Sequence, residues 1–382
     1  MSKPVVVDYF SGPGGLAEGF SQAGFKTLMG IDFDENSAET FKKNHPEAKY
    51  IRADISELDP KDVLDELDYG ENEIDVIVGG PPCQGFSIAG DREQDDERNE
   101  LFKDYARHVE SLNPKFVLME NVPGMLSMET SEGEPVIEEI REHFSDIGYR
   151  TEYQVLKASN FGVPQNRERV FVLGTRLDDG NIGFPGRTHI VDGDDQKLTE
   201  VDSDMKRAVT VGDALSDLTS LKAGEKSSDY GAKPKNDYQR MMRENMSSSS
   251  EVKNHDAVNH RDHIVKRFEH IPQGGDMTDA PEEHQPSKVY SSRNRRLKED
   301  HPSYTVTSHV LDELIHPWDD RAITVREAAR LQSFPDDYVF TGERNVFHGS
   351  DETSQYEQVG NAVPVLLAKS IAERIIEHNF ED

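Results

Sequence analysis

DYFSGPGGLAEGF, residues 8–20, runs from the end of an apolar strand through a glycine-rich turn into a helical pattern. Glycines in such a turn let the backbone approach a ligand closely. The next predicted strand ends at Asp32, where a carboxylate can accept hydrogen bonds from ribose hydroxyls. This spacing favours a nucleotide-like cofactor, and a tight turn without a ligand is the alternative. No Lys-Ser or Lys-Thr pair closes the turn, which argues against a P-loop.

The rest of the first 176 residues alternates short apolar runs with helical segments. The predicted strands are VVVDYF (5–10), TLMGID (27–32), KYIRADI (49–55), IDVIVGG (74–80) and KFVLMENV (115–122), with predicted helices over 35–44 and 101–112. Nearly continuous apolar strands of this kind indicate a parallel sheet with helices on both faces. Two later runs, 149–158 and 169–176, are predicted to pair as a hairpin at the sheet edge. The pattern is typical of a doubly wound α/β fold.

Between about residues 187 and 303 the sequence becomes polar and rich in Gly and Ser, and apolar periodicity largely disappears. Core-like sequence then returns. Thr324 followed by Glu327 is a capping-box signature, and residues 363–376 carry apolar side chains at helical spacing. We therefore predict a catalytic and cofactor-binding domain over 1–186, an inserted region over 187–303, and a return to the first domain over 304–382.

The chain is strongly acidic: 43 Lys and Arg stand against 74 Asp and Glu, giving a formal net charge of −31. This balance excludes a basic protein that coats nucleic acid. Hydrophobic residues make up only 34% of the chain, but they fall in compact runs that indicate a folded core under an acidic surface. No apolar run approaches the roughly 18 residues of a membrane span, and the apolar run at 5–7 is too short for a signal peptide. We expect a cytoplasmic protein.

The single cysteine, Cys83, excludes an internal disulfide and a cysteine-rich zinc site. GGPPCQGFS (79–87) places this thiol just past the fourth predicted strand, at the edge where ligands bind in open α/β sheets. The fifth strand ends in ENV (120–122), so Glu120 is predicted to lie at the same edge. A thiol nucleophile beside a carboxylic acid suits attack on an electron-poor ring that is protonated elsewhere. The alternatives are a small buried hydrophobe for Cys83 and a solvated carboxylate for Glu120.

QNRER (165–169) carries Gln165, Arg167 and Arg169 at alternating positions as the chain enters another predicted strand. Side chains two residues apart in a strand share a face, so the two arginines are predicted to point the same way. A solvated face is the alternative interpretation.

Together these motifs resemble those of the C5-cytosine DNA methyltransferases, in order over residues 5–176 and again over about 302–378. DYFSGPGGLAEGF is similar to the family's cofactor loop, PPCQGFS (81–87) to its nucleophile loop, ENV to its acid strand and QNRER to its arginine motif. RAITVREAARLQSFP (321–335) and QVGNAVP (358–364) resemble its two closing motifs. The resemblance implies a Rossmann-like, class I S-adenosylmethionine-dependent methyltransferase sheet with an inserted target-recognition region.

The resemblance also implies a mechanism. Because ring carbons are unreachable inside the base stack, the enzyme would flip cytosine out of the duplex. The Cys83 thiolate would add to C6 while Glu120 protonates or hydrogen-bonds N3, which makes C5 nucleophilic enough to take a methyl group from S-adenosylmethionine. Arg167 and Arg169 would orient the base and stabilise negative charge.

By the same resemblance, the remaining site residues fall into two groups. Those implied to bind the cofactor are Phe10, Gly12, Gly14, Gly15, Leu16, Asp32, Phe33, Asp54, Ile55, Leu101 and Asn361. Those expected to contact DNA are Gln84 and Ser87 on the nucleophile loop, and Arg293, Arg295 and Arg296 in the inserted region. The alternative for the arginine cluster is an ordinary solvated patch. The irregularly spaced histidines of the inserted region do not predict a metal site.

A chain with net charge −31 that acts on DNA must overcome long-range repulsion. Molar salt shortens the Debye length to roughly 3 Å, so the composition predicts a salt-loving host. We expect a monomer that acts on double-stranded DNA, with a cognate restriction endonuclease as a possible separate partner.

Two alternatives to this function remain. One is RNA methylation, as in a close branch of the same family, although the long insertion favours duplex DNA because groove recognition needs a reading module. The other is a non-catalytic relative that binds DNA, against which the presence of Cys83, Glu120, Arg167 and Arg169 argues.

Overall fold

The computed structural model describes residues 3–67, 69–70, 72–82, 101–130, 133–178, 182–191, 205–247, 249–345 and 352–379. The chain forms two compact units. The first comprises Met1–Lys157, Glu168–Gly186 and Ala368–Asp382, and the second Ala158–Arg167 and Arg187–Leu367.

The first unit is built around a seven-stranded sheet with the strand order β3-β2-β1-β4-β5-β7-β6. Its strands are β1 (Val5–Tyr9), β2 (Lys26–Asp32), β3 (Lys49–Arg52), β4 (Val76–Gly79), β5 (Phe116–Asn121), β6 (Arg150–Lys157) and β7 (Glu168–Thr175). The first five run parallel, and β7 runs antiparallel to both β5 and β6. The predicted α/β fold and the hairpin are therefore confirmed. The hairpin's second strand, β7, pairs with β5 and leaves β6 at the edge.

The helices of the chain follow the predicted alternation in the first unit and are mostly short in the second. They are α1 (Gly15–Ala23), α2 (Glu35–Asn44), α3 (Pro60–Leu67), α4 (Leu101–Leu112), α5 (Val136–Asp146), α6 (Val211–Leu215), α7 (Asp237–Met242), α8 (Asp262–Glu269), α9 (Val310–Glu313), α10 (Val325–Leu331), α11 (Gln355–Asn361) and α12 (Val365–Asn379). Strands β1 and β4 are completely buried, which explains their continuous apolar sequence. None of the helices in the described part of the chain is long and apolar enough to cross a membrane.

The second unit has little regular sheet. Its strands are the short pairs β8 (His189–Ile190) with β9 (Lys206–Arg207), and β10 (Arg295–Arg296) with β11 (Leu314–Ile315). Thr324 caps α10 through the predicted capping box with Glu327. Buried ion pairs hold much of this unit together, with Arg321, Arg326 and Arg330 fully buried around the α10 segment.

The two units do not follow the predicted boundaries. Residues 304–367, assigned from sequence to a returning catalytic domain, lie in the second unit, and only 368–382 return to the first. The reason is visible in α10, because its arginine Arg330 pairs with Asp217 of the inserted region. Periodicity shows that a helix has a buried face but does not show which partner covers it.

Candidate active site

The turn between β1 and α1 contains three residues with positive φ, a backbone conformation that residues other than glycine rarely adopt. Phe10, Gly12 and Gly14 have φ of 53°, 50° and 97°, and Gly14 forms the N-cap of α1. The Gly12 N–H donates to Asp32 Oδ2 at 2.8 Å, while the Asp34 N–H donates to Asp32 Oδ1 at 3.0 Å. The carboxylate that ends β2 is thus tied to the glycine turn that follows β1.

Asp32 and its neighbours fit the chemistry of a nucleoside ligand. Burial raises the pKa of Asp32 above its usual value, and the N–H groups of Asp34 and Gly12 act to lower it. The next side chain, Phe33, is 70% exposed, so its ring is accessible to a ligand. Ile55 is buried after β3, and the exposed Asp54 accepts from the Ser56 N–H at 2.9 Å.

The remaining residues predicted to bind the cofactor lie on three different helices. Gly15 and Leu16 open α1 and are buried. Leu101 begins α4 and packs, half-buried, on the core of the first unit. Asn361 is exposed and ends α11 in the second unit.

Asp8 is a residue of this region that sequence reasoning missed. It is fully buried within β1, and its Oδ2 accepts the Ala17 N–H of α1 at 3.1 Å. Burial raises the pKa of Asp8 well above its usual range, although the Ala17 N–H acts to lower it. The available signal was one charged residue in an otherwise apolar strand.

A second missed feature is the contact that α4 makes with the turn after β3. Arg107 donates to the Ile55 carbonyl at 3.0 Å and to the Leu58 carbonyl at 3.1 Å. The buried His108 lies within hydrogen-bond distance of the Leu58 carbonyl through Nε2 and of the Tyr9 hydroxyl through Nδ1, at 3.2 and 3.0 Å. Burial, with Arg107 nearby, lowers the pKa of His108 to about 4, so the ring is neutral. These bonds fix the turn that carries Asp54 and Ile55.

At the carboxyl end of β5 the structure brings a carboxylate and a guanidinium together. Arg169 Nε lies 2.8 Å from Glu120 Oε1, and both side chains are largely buried. The other carboxylate oxygen, Oε2, faces Gly80, where an added Cβ would lie 3.1 Å from it. Because β7 is antiparallel, it begins at the edge where β5 ends, and this places Arg169 beside Glu120.

The same edge anchors the start of the predicted nucleophile loop. Asn121 Nδ2 donates to the Pro81 carbonyl at 2.9 Å, two residues before the predicted nucleophile. Cys83, Gln84 and Ser87 themselves lie outside the described residues.

Arg167 and Arg169 do not share a strand face. Strand β7 begins at Glu168, and Arg167 belongs to the second unit, where it is 2% exposed. Its guanidinium donates to the Val306 carbonyl at 2.7 Å and to the Gly360 carbonyl at 3.0 Å. Arg167 therefore fixes the backbone immediately before Asn361.

The predicted DNA-contacting arginines of the inserted region differ in environment. Arg293 is exposed and lies 3.7 Å from Asp312, and Arg295 packs its guanidinium 4.2 Å from the centre of the Tyr304 ring. Arg296 is 5% exposed and donates to the carbonyls of Ile271 and Phe268, both at 2.6 Å. This burial makes Arg296 a structural residue and argues against the predicted DNA contact.

The histidines of this region make structural contacts as well. His255 is buried between the Thr324 hydroxyl and the Thr219 carbonyl, at 3.0 and 2.8 Å. His260 accepts the Ala322 N–H at 3.2 Å. No group of three or more His, Cys, Asp and Glu suited to a metal ion occurs among the described residues.

The chain matches the family model of C-5 cytosine-specific DNA methylases over residues 5–377. It is 39% identical to the type II methyltransferase M.DdeI of Desulfomicrobium norvegicum, over 97% of this chain and 88% of that protein. It is 36% identical to M1.HphI of Haemophilus parahaemolyticus, over 98% and 87% of the two chains. A crystal structure of a putative DNA modification methyltransferase encoded within an E. coli prophage superposes with a TM-score of 0.75 at 27% identity, covering 99% of this chain and 100% of that one.

The sheet is thus that of a class I methyltransferase. The chain belongs to the C-5 cytosine-specific DNA methylase family. Enzymes of this family take their methyl group from S-adenosylmethionine, which is accordingly the cofactor here.

Proposed function

We propose that the protein methylates C5 of cytosine within a specific duplex DNA sequence, through a covalent adduct between Cys83 and C6 that forms after base flipping. The observation that carries this proposal is the Glu120–Arg169 pair at 2.8 Å, held beside Gly80 where the loop toward Cys83 begins. That edge combines an acid, a fixed cation and the entry to a thiol-bearing loop.

The chain's own residues perform the proton and bond changes on the base. The Cys83 thiolate forms a bond to C6, the electron pair of the C5–C6 double bond shifts to C4–C5, and the C4–N3 pair moves onto N3, which takes a proton or a hydrogen bond from Glu120. S-adenosylmethionine, when bound, supplies the methyl group to the nucleophilic C5. Loss of the C5 proton to solvent restores the C5–C6 double bond and expels the Cys83 thiolate, and the proton on N3 returns to Glu120.

The two arginines serve this chemistry differently. Arg169 holds Oε1 of Glu120 and leaves Oε2 on the Gly80 side, so it orients the acid and supplies positive charge beside the base. Arg167 is a positioning residue within the second unit, because its guanidinium donates to the Val306 and Gly360 carbonyls.

The cofactor assignment rests on the residues around the β1 turn. Asp32 would accept from the ribose hydroxyls, Phe33 and Ile55 would cover the adenine faces, and Asp54 would accept from the adenine amine. The 70% exposure of Phe33 supports this assignment. The other residues that we propose for cofactor binding are Phe10, Gly12, Gly14, Gly15, Leu16, Leu101 and Asn361.

For DNA we propose contacts from Gln84 and Ser87 near the target base and from Arg293 and Arg295 in the inserted region. Arg296 is left out because of its burial. We further propose that the protein acts as a monomer, with any restriction endonuclease as a separate protein, and that its acidic surface reflects a salt-rich cytoplasm.

The test is bisulfite sequencing of plasmid DNA incubated with the protein and S-adenosylmethionine over a KCl series up to molar concentration. We expect protected cytosines in one short sequence context, more of them as KCl rises, and none with the Cys83→Ala variant. No protection at any salt concentration, from a folded protein that binds the cofactor, would favour an RNA substrate or a non-catalytic role. Highest activity in dilute buffer would contradict the salt-loving host.

Replacing Arg107 by alanine is expected to weaken S-adenosylmethionine binding about tenfold, measured by isothermal titration calorimetry. The substitution removes hydrogen bonds from a charged donor to two carbonyls of the turn that carries Ile55, each worth about 1.5–3 kcal/mol at most. Arg141→Ala is the control, since that half-buried arginine pairs with Glu138 on the same helix, α5, and makes none of these contacts with the turn. Affinity within twofold of wild type would show that the turn holds its shape without Arg107.

A further inference from the structure

A cavity of about 300 Å³ lies within the second unit, between α8 and the segment 286–294. This volume is at the lower end of the range for ligand pockets, so it suits one small ligand. The residues that matter for its chemistry are His260, Arg267, Phe268, Lys288, Tyr290 and Arg293.

Packing and hydrogen bonds hold the floor of the cavity. Phe268 is 1% exposed and belongs to a small apolar core with Ile271, Ala280 and Ile315. Arg267 is held by hydrogen bonds to the His284 carbonyl at 2.7 Å and to Asn294 Oδ1 at 3.2 Å. A floor fixed in this way is preformed, and binding would require little reordering there.

The rim offers a flat aromatic surface beside a cation. Tyr290 is 48% exposed, and the Arg293 guanidinium carbon lies 5.6 Å from the centre of its ring. Arg293 pairs only loosely with Asp312, at 3.7 Å, and both side chains are about half exposed. An incoming anion can therefore engage Arg293 while a planar group stacks on Tyr290.

The charge of the cavity is opposite to that of the chain. Three basic side chains, Arg267, Lys288 and Arg293, line it together with one carboxylate, Asp312. The whole chain carries −31. His260 adds no charge at neutral pH, because burial and the nearby Arg321 lower its pKa. A local positive site on an acidic protein selects for an anionic ligand.

We propose that this cavity binds one unstacked nucleotide of the DNA substrate, with its base on Tyr290 and its phosphate at Arg293 and Lys288. A planar base joined to a phosphate matches the aromatic rim, the cations and the volume together. The residues that line the cavity include none of those proposed to act on the target cytosine, so we take this nucleotide to be a different one. The inference rests on the proposed function, because it takes duplex DNA as the substrate.

The test begins with the methylation site mapped for the wild-type enzyme. Duplexes that carry this site, intact or with one base at a time removed to leave an abasic residue, are titrated with wild type and with Tyr290→Ala by fluorescence anisotropy. We expect Tyr290→Ala to bind the intact duplex about tenfold more weakly, within the range for loss of one base–aromatic stack. Tyr290→Phe, which keeps the ring, should bind like wild type.

The abasic series identifies the nucleotide. Wild type should lose affinity at one position apart from the target cytosine, and Tyr290→Ala should lose nothing further at that position, since both changes remove the same contact. The matched control is Tyr153→Ala, because the Tyr153 ring is 40% exposed and lies 5.8 Å from the Arg141 guanidinium carbon in the first unit. This control should bind like wild type.

Three results would overturn the inference while leaving the proposed function intact: Tyr290→Ala binding within twofold of wild type, an equal loss in Tyr153→Ala, or additive losses at every abasic position. A wild-type enzyme that methylates no DNA would instead remove the proposed function, and this inference with it.

Discussion

Replacing Glu120 by glutamine is expected to lower the turnover number for cytosine methylation by about two to four orders of magnitude, the usual contribution of a positioned general acid. Glutamine keeps the size of the side chain and can still meet Arg169, which lies 2.8 Å from Glu120 Oε1. It has no proton to transfer to N3, so C6 stays poorly electrophilic toward Cys83. The measurement is single-turnover transfer of labelled methyl groups to a duplex that carries the mapped site.

A second readout separates attack by the thiol from methyl transfer. When 5-fluorocytosine replaces the target base, C5 has no proton to lose after methylation, and the Cys83 adduct should accumulate and resist denaturing electrophoresis. We expect Glu120→Gln to form this adduct more slowly than wild type.

Glu168→Gln is the matched control for Glu120→Gln. Glu168 is exposed and precedes Arg169 on β7, and the hydrogen bond that it accepts from Arg169, at 2.7 Å, goes to its backbone carbonyl, which the substitution keeps. Turnover in this control should stay near wild type. A Glu120→Gln enzyme within threefold of wild type would remove Glu120 from the proposed chemistry.

Replacing Arg330 by alanine is expected to lower the free energy of unfolding by about 3–5 kcal/mol, as for other broken buried ion pairs. Arg330 Nε lies 2.5 Å from Asp336 Oδ1, and NH1 lies 3.1 Å from Asp217 Oδ1, with all three side chains fully buried. Although burial acts to raise it, the Arg330 guanidinium holds the pKa of Asp336 below its usual value. Removing this cation leaves buried carboxylates short of positive charge.

The measurement is urea unfolding in molar KCl, followed by circular dichroism. Arg240→Ala is the control, because Arg240 pairs with Asp237 on the exposed surface of α7 and the pair should contribute little. Equal unfolding midpoints for Arg330→Ala and wild type would show that the α10 segment does not depend on this buried network.

The agreement between sequence and structure is closest where a local pattern carries the information. The helices 35–44 and 101–112 have the predicted bounds, and the capping box at Thr324 is present. Strand β3 is shorter than predicted and ends at Arg52. The turn that follows it is held by Arg107, whose contacts lie about fifty residues away along the chain.

The sequence by itself determined the parallel sheet, the glycine turn that ends β1 and the family, because apolar runs, glycines and motif spacing are local properties of the chain. Only the tertiary structure decided the partners of the arginines. Arg167 and Arg169 are two residues apart, yet one donates to backbone carbonyls of the second unit and the other pairs with Glu120. Arg296 belongs to a basic cluster in sequence but is buried in the fold. The hydrogen bonds of a guanidinium are strongest where carbonyls and carboxylates surround it in a site with little water. Such a site exists only after distant segments of the chain have packed together.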